Sequence, residues 1–72
     1  MNINIVKNNV LKHLGERHKF KAKGSRGQDF IFYGTITKCF PFIFIIVDDD
    51  KKIYSFSYSD FLISNIEIID VK

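Results

Sequence analysis

Cys39, His13 and His18 are the side chains in this chain with the most versatile chemistry. A cysteine nucleophile needs a base close enough to make the thiolate and a third group to orient that base. No spacing here supplies the third group, so Cys39 reads as a small packing residue. Zinc is no better served: one cysteine, with two histidines at i and i+5 across the expected end of a helix, does not make four ligands. Asp48, Asp49 and Asp50 offer oxygens to a hard cation, but they lack the interleaved spacing, the glycine at the bend and the distal glutamate of a calcium loop. They read as a solvated turn. Gly24-Ser25-Arg26-Gly27 lacks the Gly-Lys-Ser/Thr ending of a phosphate loop and precedes a strand rather than a helix. The sequence therefore leads us to expect no catalytic set, no cofactor and no metal.

One pattern does suggest partner chemistry. Arg17, Lys19, Lys21 and Lys23 alternate with His18, Phe20 and Ala22, so on a strand the four cations project to one side at intervals of roughly 7 Å. That interval is close to the phosphate spacing of a nucleic-acid strand, and Arg26 extends the row at the following turn. Phe20, Phe30, Phe32 and Tyr33 lie near in sequence and would stack on bases if exposed, although so short a chain needs such rings for its core. Residues 1 to 27 hold seven Lys or Arg against one Glu, whereas residues 28 to 72 hold four Lys against seven Asp or Glu. The basic half suits an anionic partner.

The elements that must position these residues follow from periodicity. Ile3, Val6, Val10 and Leu14, widened by Ile5 and Leu11, recur at steps of three and four, which predicts one amphipathic helix over about 2–14. Asn2 or Asn4 can cap its start, and Gly15 can take the left-handed conformation that stops it. From residue 16 the period becomes two. Strands are expected at 17–23, 28–38, 42–47, 53–58 and 66–71, with a hairpin at Gly24 to Gly27, a sharp bend at Gly34 and a turn at 48–52. The run 42–47 is apolar on both faces and is expected to be covered on both. A short capped turn starting at Ser59-Asp60 separates the last two strands. Five short bent antiparallel strands with no room for a second sheet close best as a small barrel, which removes their edges. The expected fold is mainly β: an SH3-like or Sm-like five-stranded antiparallel barrel, about 16–71, with an N-terminal α-helix.

Length and composition bound the rest. Seventy-two residues make one domain, 1–72, with no second. Ordering each residue costs roughly 1.5 kcal/mol, so eight Phe, three Tyr and the isoleucine runs must form a dense core. The same hydrophobe density admits a homodimer. A single cysteine excludes an internal disulfide framework. The longest apolar run, Cys39 to Val47, falls well short of the ~18 residues of a membrane span. No signal peptide or anchor is visible, and a cytoplasmic protein with no membrane partner is expected.

Leu14-Gly15-Glu16-Arg17, Lys21-Ala22-Lys23-Gly24 with Arg26, Gly34-Thr35-Ile36, Phe40-Pro41-Phe42-Ile43-Phe44 and Phe56-Ser57-Tyr58-Ser59-Asp60-Phe61-Leu62 together resemble the Veg family, small proteins of low-GC Gram-positive bacteria. The resemblance runs through nearly the whole chain in one order. It departs from the family in the basic hairpin, where Gly27-Gln28-Asp29 replaces further basic residues. What the resemblance implies is an SH3-like barrel and a non-enzymatic regulatory role: stimulation of biofilm matrix genes through contact with a transcriptional repressor. The alternative from the residues themselves is a nucleic-acid-binding barrel using Arg17, Lys19, Lys21, Lys23 and Arg26.

Overall fold

A computed structural model describes residues 3–24 and 27–70. The first element is helix α1 (Ile3–Lys12). Its stripe is narrower than the sequence suggests: Val6 and Val10 are buried, while Ile3, Ile5, Leu11 and Leu14 stay exposed. Asn4 lies inside the helix and so does not cap it, and Asn2 falls outside the described residues. Gly15 stops the run as expected, at φ +82, a conformation that carries no Cβ penalty in glycine. Its N–H donates to the Ile36 carbonyl at 2.8 Å and ties the end of the helix to the sheet.

Five strands follow: β1 (Arg17–Lys23), β2 (Asp29–Cys39), β3 (Ile43–Asp48), β4 (Ile53–Ser57) and, after the short helix α2 (Tyr58–Leu62), β5 (Ile66–Ile68). They form one antiparallel sheet in the order β4-β3-β2-β1-β5. The mainly β architecture with an N-terminal helix is the one read from the sequence. Closure is not completed: no ladder joins β4 to β5 among the described residues, so the sheet curls without becoming a hydrogen-bonded cylinder. The helix α2 bridges these two edges in the chain. Its N-cap is Ser57, two residues earlier than expected. Ser57 Oγ accepts from the Asp60 N–H at 3.0 Å, and the Asp60 carboxylate accepts from the Ser57 N–H at 3.1 Å. The two orphan amides at the helix start are thereby satisfied reciprocally.

The inner face of the curl carries the core. Phe20 and Ala22 of β1, Ile36 of β2, Phe44 and Ile46 of β3, Tyr58 of α2 and Ile66 of β5 pack with Val6 and Val10 of α1. Phe32, Tyr54 and Phe56 are partly buried against them, with Phe32 and Tyr54 stacked at 4.6 Å between centroids. Two local features shape the long strand β2. Gly34 faces Asp48 across the ladder, and a Cβ there would stand 2.8 Å from the Ile46 Cγ2. The register then slips between Ile36 and Lys38, where Thr37 is the extra residue of a β-bulge. The slip inverts the alternation, so that Cys39, paired with Phe44, packs against the core. The run 42–47 is less enclosed than expected: Phe44 and Ile46 are buried, but Phe42 and Ile43 face solvent.

Candidate functional site

The basic row of β1 projects outward as the alternation requires, with Phe20 and Ala22 inward and fully buried. It is not a free cationic surface. The Arg17 guanidinium donates through Nε and Nη2 to the two carboxylate oxygens of Asp49, in the β3–β4 turn. That contact raises the Arg17 pKa and holds the Asp49 carboxyl below its usual range. Lys21 Nζ lies 3.4 Å from Asp29, and Arg17 and Lys19 both sit over the Tyr33 ring, at 4.6 and 5.8 Å. Lys23 projects outward at the end of the strand, and Arg26 lies outside the described residues. The rings named with the row divide: Phe20 is core, Phe32 half-buried, and Phe30 and Tyr33 exposed.

The triple aspartate forms a turn. Asp48 Oδ1 accepts from the backbone N–H of Asp50 at 2.9 Å and of Lys52 at 2.8 Å, and Lys51 adopts φ +67. Cys39 is half-buried, and burial pushes its thiol up, against the smaller opposing effects of Tyr58 and Lys7. A thiol so placed stays protonated at neutral pH, in keeping with a packing role.

The two histidines do acquire partners, which spacing alone did not suggest. His13 sits just beyond α1, and the left-handed Gly15 turns the chain so that Glu16 comes back towards it, with the Glu16 N–H on the His13 carbonyl at 3.0 Å. His13 Nδ1 is 3.1 Å and His18 Nε2 2.8 Å from the same oxygen, Glu16 Oε1. His18 Nδ1 is 3.0 Å from Asp70 Oδ1, and the two imidazole rings meet edge to face at 4.9 Å. Burial opposes charge on His18, but its hydrogen bonds to Glu16 and Asp70 outweigh this and raise its pKa. Hydrogen bonds from His18 and then His13 lower that of Glu16. The readable signal was the placing of Glu16 and His18 two residues apart at the entry to β1, directly after a glycine able to reverse the chain.

A surface missed by the sequence reading lies where α1 meets the β2–β3 loop. The phenol of the buried Tyr58 donates its O–H to the Phe40 carbonyl at 2.6 Å, and the Tyr58 backbone N–H donates to the Phe42 carbonyl at 3.4 Å. Phe40 in turn donates its N–H to Ile43 at 2.8 Å. The loop Phe40-Pro41-Phe42 is therefore pinned to the core at both ends, and it holds the Phe42 side chain 83% exposed. Beside it opens a cavity of about 290 Å³, lined by Ile3, Asn4, Lys7, Pro41, Phe42, Tyr58 and the serines flanking Tyr58. An exposed aromatic ring on a pinned loop, beside a cleft of mixed polarity with one ammonium group, can anchor a protein partner. The backbone that carries the ring is already ordered by the fold.

Among the described residues no helix is long and apolar enough to cross a membrane. A search among curated proteins returns no significant match. The model of one protein family, described as biofilm formation stimulator VEG, matches residues 1–69, from α1 through the last strand. With all but the final three residues matched in one continuous alignment, the chain belongs to the Veg family of biofilm formation stimulators.

Proposed function

We propose that this chain is a non-enzymatic cytoplasmic regulator that stimulates matrix-gene expression by binding a transcriptional repressor and relieving its hold on DNA. The family match over residues 1–69 carries this reading. The solvent-facing Phe42 on its pinned loop and the adjoining cleft support a protein partner, because a few aromatic anchors supply much of the binding energy at such interfaces. The pairing of Arg17 with Asp49 and of Lys21 with Asp29 weighs against the rival reading, since a phosphate backbone would have to displace both acids.

The test is a gel-shift of a matrix-gene repressor on its operator, with the purified chain added in increasing amounts. The expected result is release of free DNA with no band containing the chain and DNA alone. A repressor–operator complex that survives stoichiometric excess contradicts the proposal. Direct binding of the chain to the operator, with a log-log salt slope of about −3 to −4 for ~4 phosphates, would favour the nucleic-acid reading instead.

A further inference from the structure

Imidazole and carboxylate ligands gathered from different elements, with an outer carboxylate aiming one of them, are the parts of a transition-metal site. His13, Glu16 and His18 have this arrangement: one ligand atom of each lies within 4.8 Å of the others. We propose that His13, Glu16 and His18 form a divalent transition-metal site, best suited to Zn²⁺, with Asp70 orienting His18.

Three observations carry it. Bonds of about 2.0–2.1 Å at a tetrahedral centre set ligand atoms roughly 3.3 Å apart. The His13 Nδ1 to Glu16 Oε1 and His18 Nε2 to Glu16 Oε1 distances, 3.1 and 2.8 Å, are already near this value. A metal entering here displaces the two protons shared with Glu16, and because the three ligand atoms are spread over 4.8 Å the two imidazoles must close towards it as the exposed Glu16 side chain swings outward. The second observation is the outer contact. Donation of Nδ1–H to Asp70 Oδ1, 3.0 Å away, would leave His18 a lone pair at Nε2 once a metal displaces the proton shared with Glu16, the tautomer control that metal-bound histidines ordinarily have. The third is support. Both histidine side chains are mostly covered, at 25% and 16% exposure, whereas Glu16 at 54% leaves a path for entry. Backbone bonds fix the frame: His13 N–H to Val10, Glu16 N–H to His13, and Ile69 N–H to Lys19.

Two imidazoles and one carboxylate match borderline metals rather than calcium or magnesium, which take oxygen ligands. Three protein ligands leave a fourth position for water or a group brought by a partner. Bound metal would cross-link the end of α1, the start of β1 and, through Asp70, the segment after β5, so it would strengthen the attachment of helix to sheet.

The experiment is calorimetric titration of the tag-free full-length chain with Zn²⁺, with Co²⁺ absorption reporting coordination geometry and a melting curve recorded in Zn²⁺ and in chelator. Expected are one Zn²⁺ per chain, a visible Co²⁺ band of tetrahedral intensity and a melting temperature raised by Zn²⁺. Glu16→Gln and His18→Ala should each weaken binding at least tenfold. Asp70→Asn should weaken it about 10- to 100-fold, and Cys39→Ser should leave it unchanged. Glu16→Gln changes one exposed group, so loss of binding there cannot be ascribed to unfolding once its melting curve in chelator matches the wild type. A dissociation constant weaker than roughly 100 µM, or equal binding by wild type and Glu16→Gln, overturns the site.

Discussion

Replacing Gly34 by alanine tests the packing of the sheet at the point where it leaves least room. Gly34 lies in the middle of β2, hydrogen-bonded to β1 on one side and β3 on the other, opposite His18 and Asp48. An added Cβ meets Ile46 Cγ2 at 2.8 Å, the Val47 carbonyl oxygen at 3.1 Å and the Asp48 Cα at 3.4 Å. Two of these three are backbone atoms of a paired strand, and Ile46 is fully buried, so none has free space to move into. Overpacking of this kind costs about 1–3 kcal/mol, while the smaller entropy of an unfolded alanine returns about 0.4–1 kcal/mol. Taken at the middle of both ranges, the net loss is about 1.3 kcal/mol. A domain of this length has roughly 4–11 kcal/mol of stability in all, from about 0.05–0.15 kcal/mol per residue. The loss corresponds to a fall in melting temperature of about 5–10 °C. Gly15→Ala is the companion variant: a Cβ there meets nothing within 4 Å, but φ is +82, so its cost of about 1–2 kcal/mol is backbone strain alone. Urea unfolding followed by circular dichroism measures both. A Gly34→Ala protein within about 0.5 kcal/mol of wild type would refute the close approach of β2 and β3.

Phe44→Ala should cost about 3–5 kcal/mol in the same assay, because Phe44 is fully buried and its ring meets Phe56, Tyr58 and Phe61. Many such molecules will be unfolded at 37 °C, and Phe44→Leu should recover much of the loss. Asp60 gives a pH-dependent effect: the N–H of Ser57 and the side chain of Asn65 hold its carboxyl below the usual range. Because the folded pKa is the lower one, this stabilisation is complete above the ordinary carboxylate pKa and disappears as pH falls through the depressed value. The stability difference between wild type and Asp60→Asn should therefore be constant above about pH 5 and shrink below about pH 4, measured by denaturant unfolding across that range.

Much of the architecture was legible because it depends on local periodicity. The change from steps of three and four to steps of two marked the boundary between α1 and β1, Gly15 ended the helix where a left-handed residue was needed, and Phe20 and Ala22 turned inward opposite the basic row. What escaped depended on register. The bulge at Thr37 shifts the phase of β2 by one residue, so no fixed alternation could place both Ile36 and Cys39 against the core. The partners of Arg17 and Lys21 are Asp49, 32 positions away, and Asp29, across the hairpin. Pairing of that kind follows from how strands align rather than from composition. The meeting of His13, Glu16 and His18 requires the turn at Gly15, and the Asp70 contact requires β5 to lie beside β1. The sheet stays open because β5 is only three residues long and pairs only with β1, among the described residues.

The proposed contact with a repressor would be made by the exposed surface around Phe42. The direct measurement is the affinity of the purified repressor for the wild-type chain and for Phe42→Ser, determined by calorimetry alongside the melting temperature of each. Removal of an anchoring ring at an interface costs about 2 kcal/mol or more, so binding should weaken by about 30-fold or more. The melting temperature should not change, since the ring is 83% exposed in the free chain. Equal affinity for the two proteins, or no complex with either, would contradict the account.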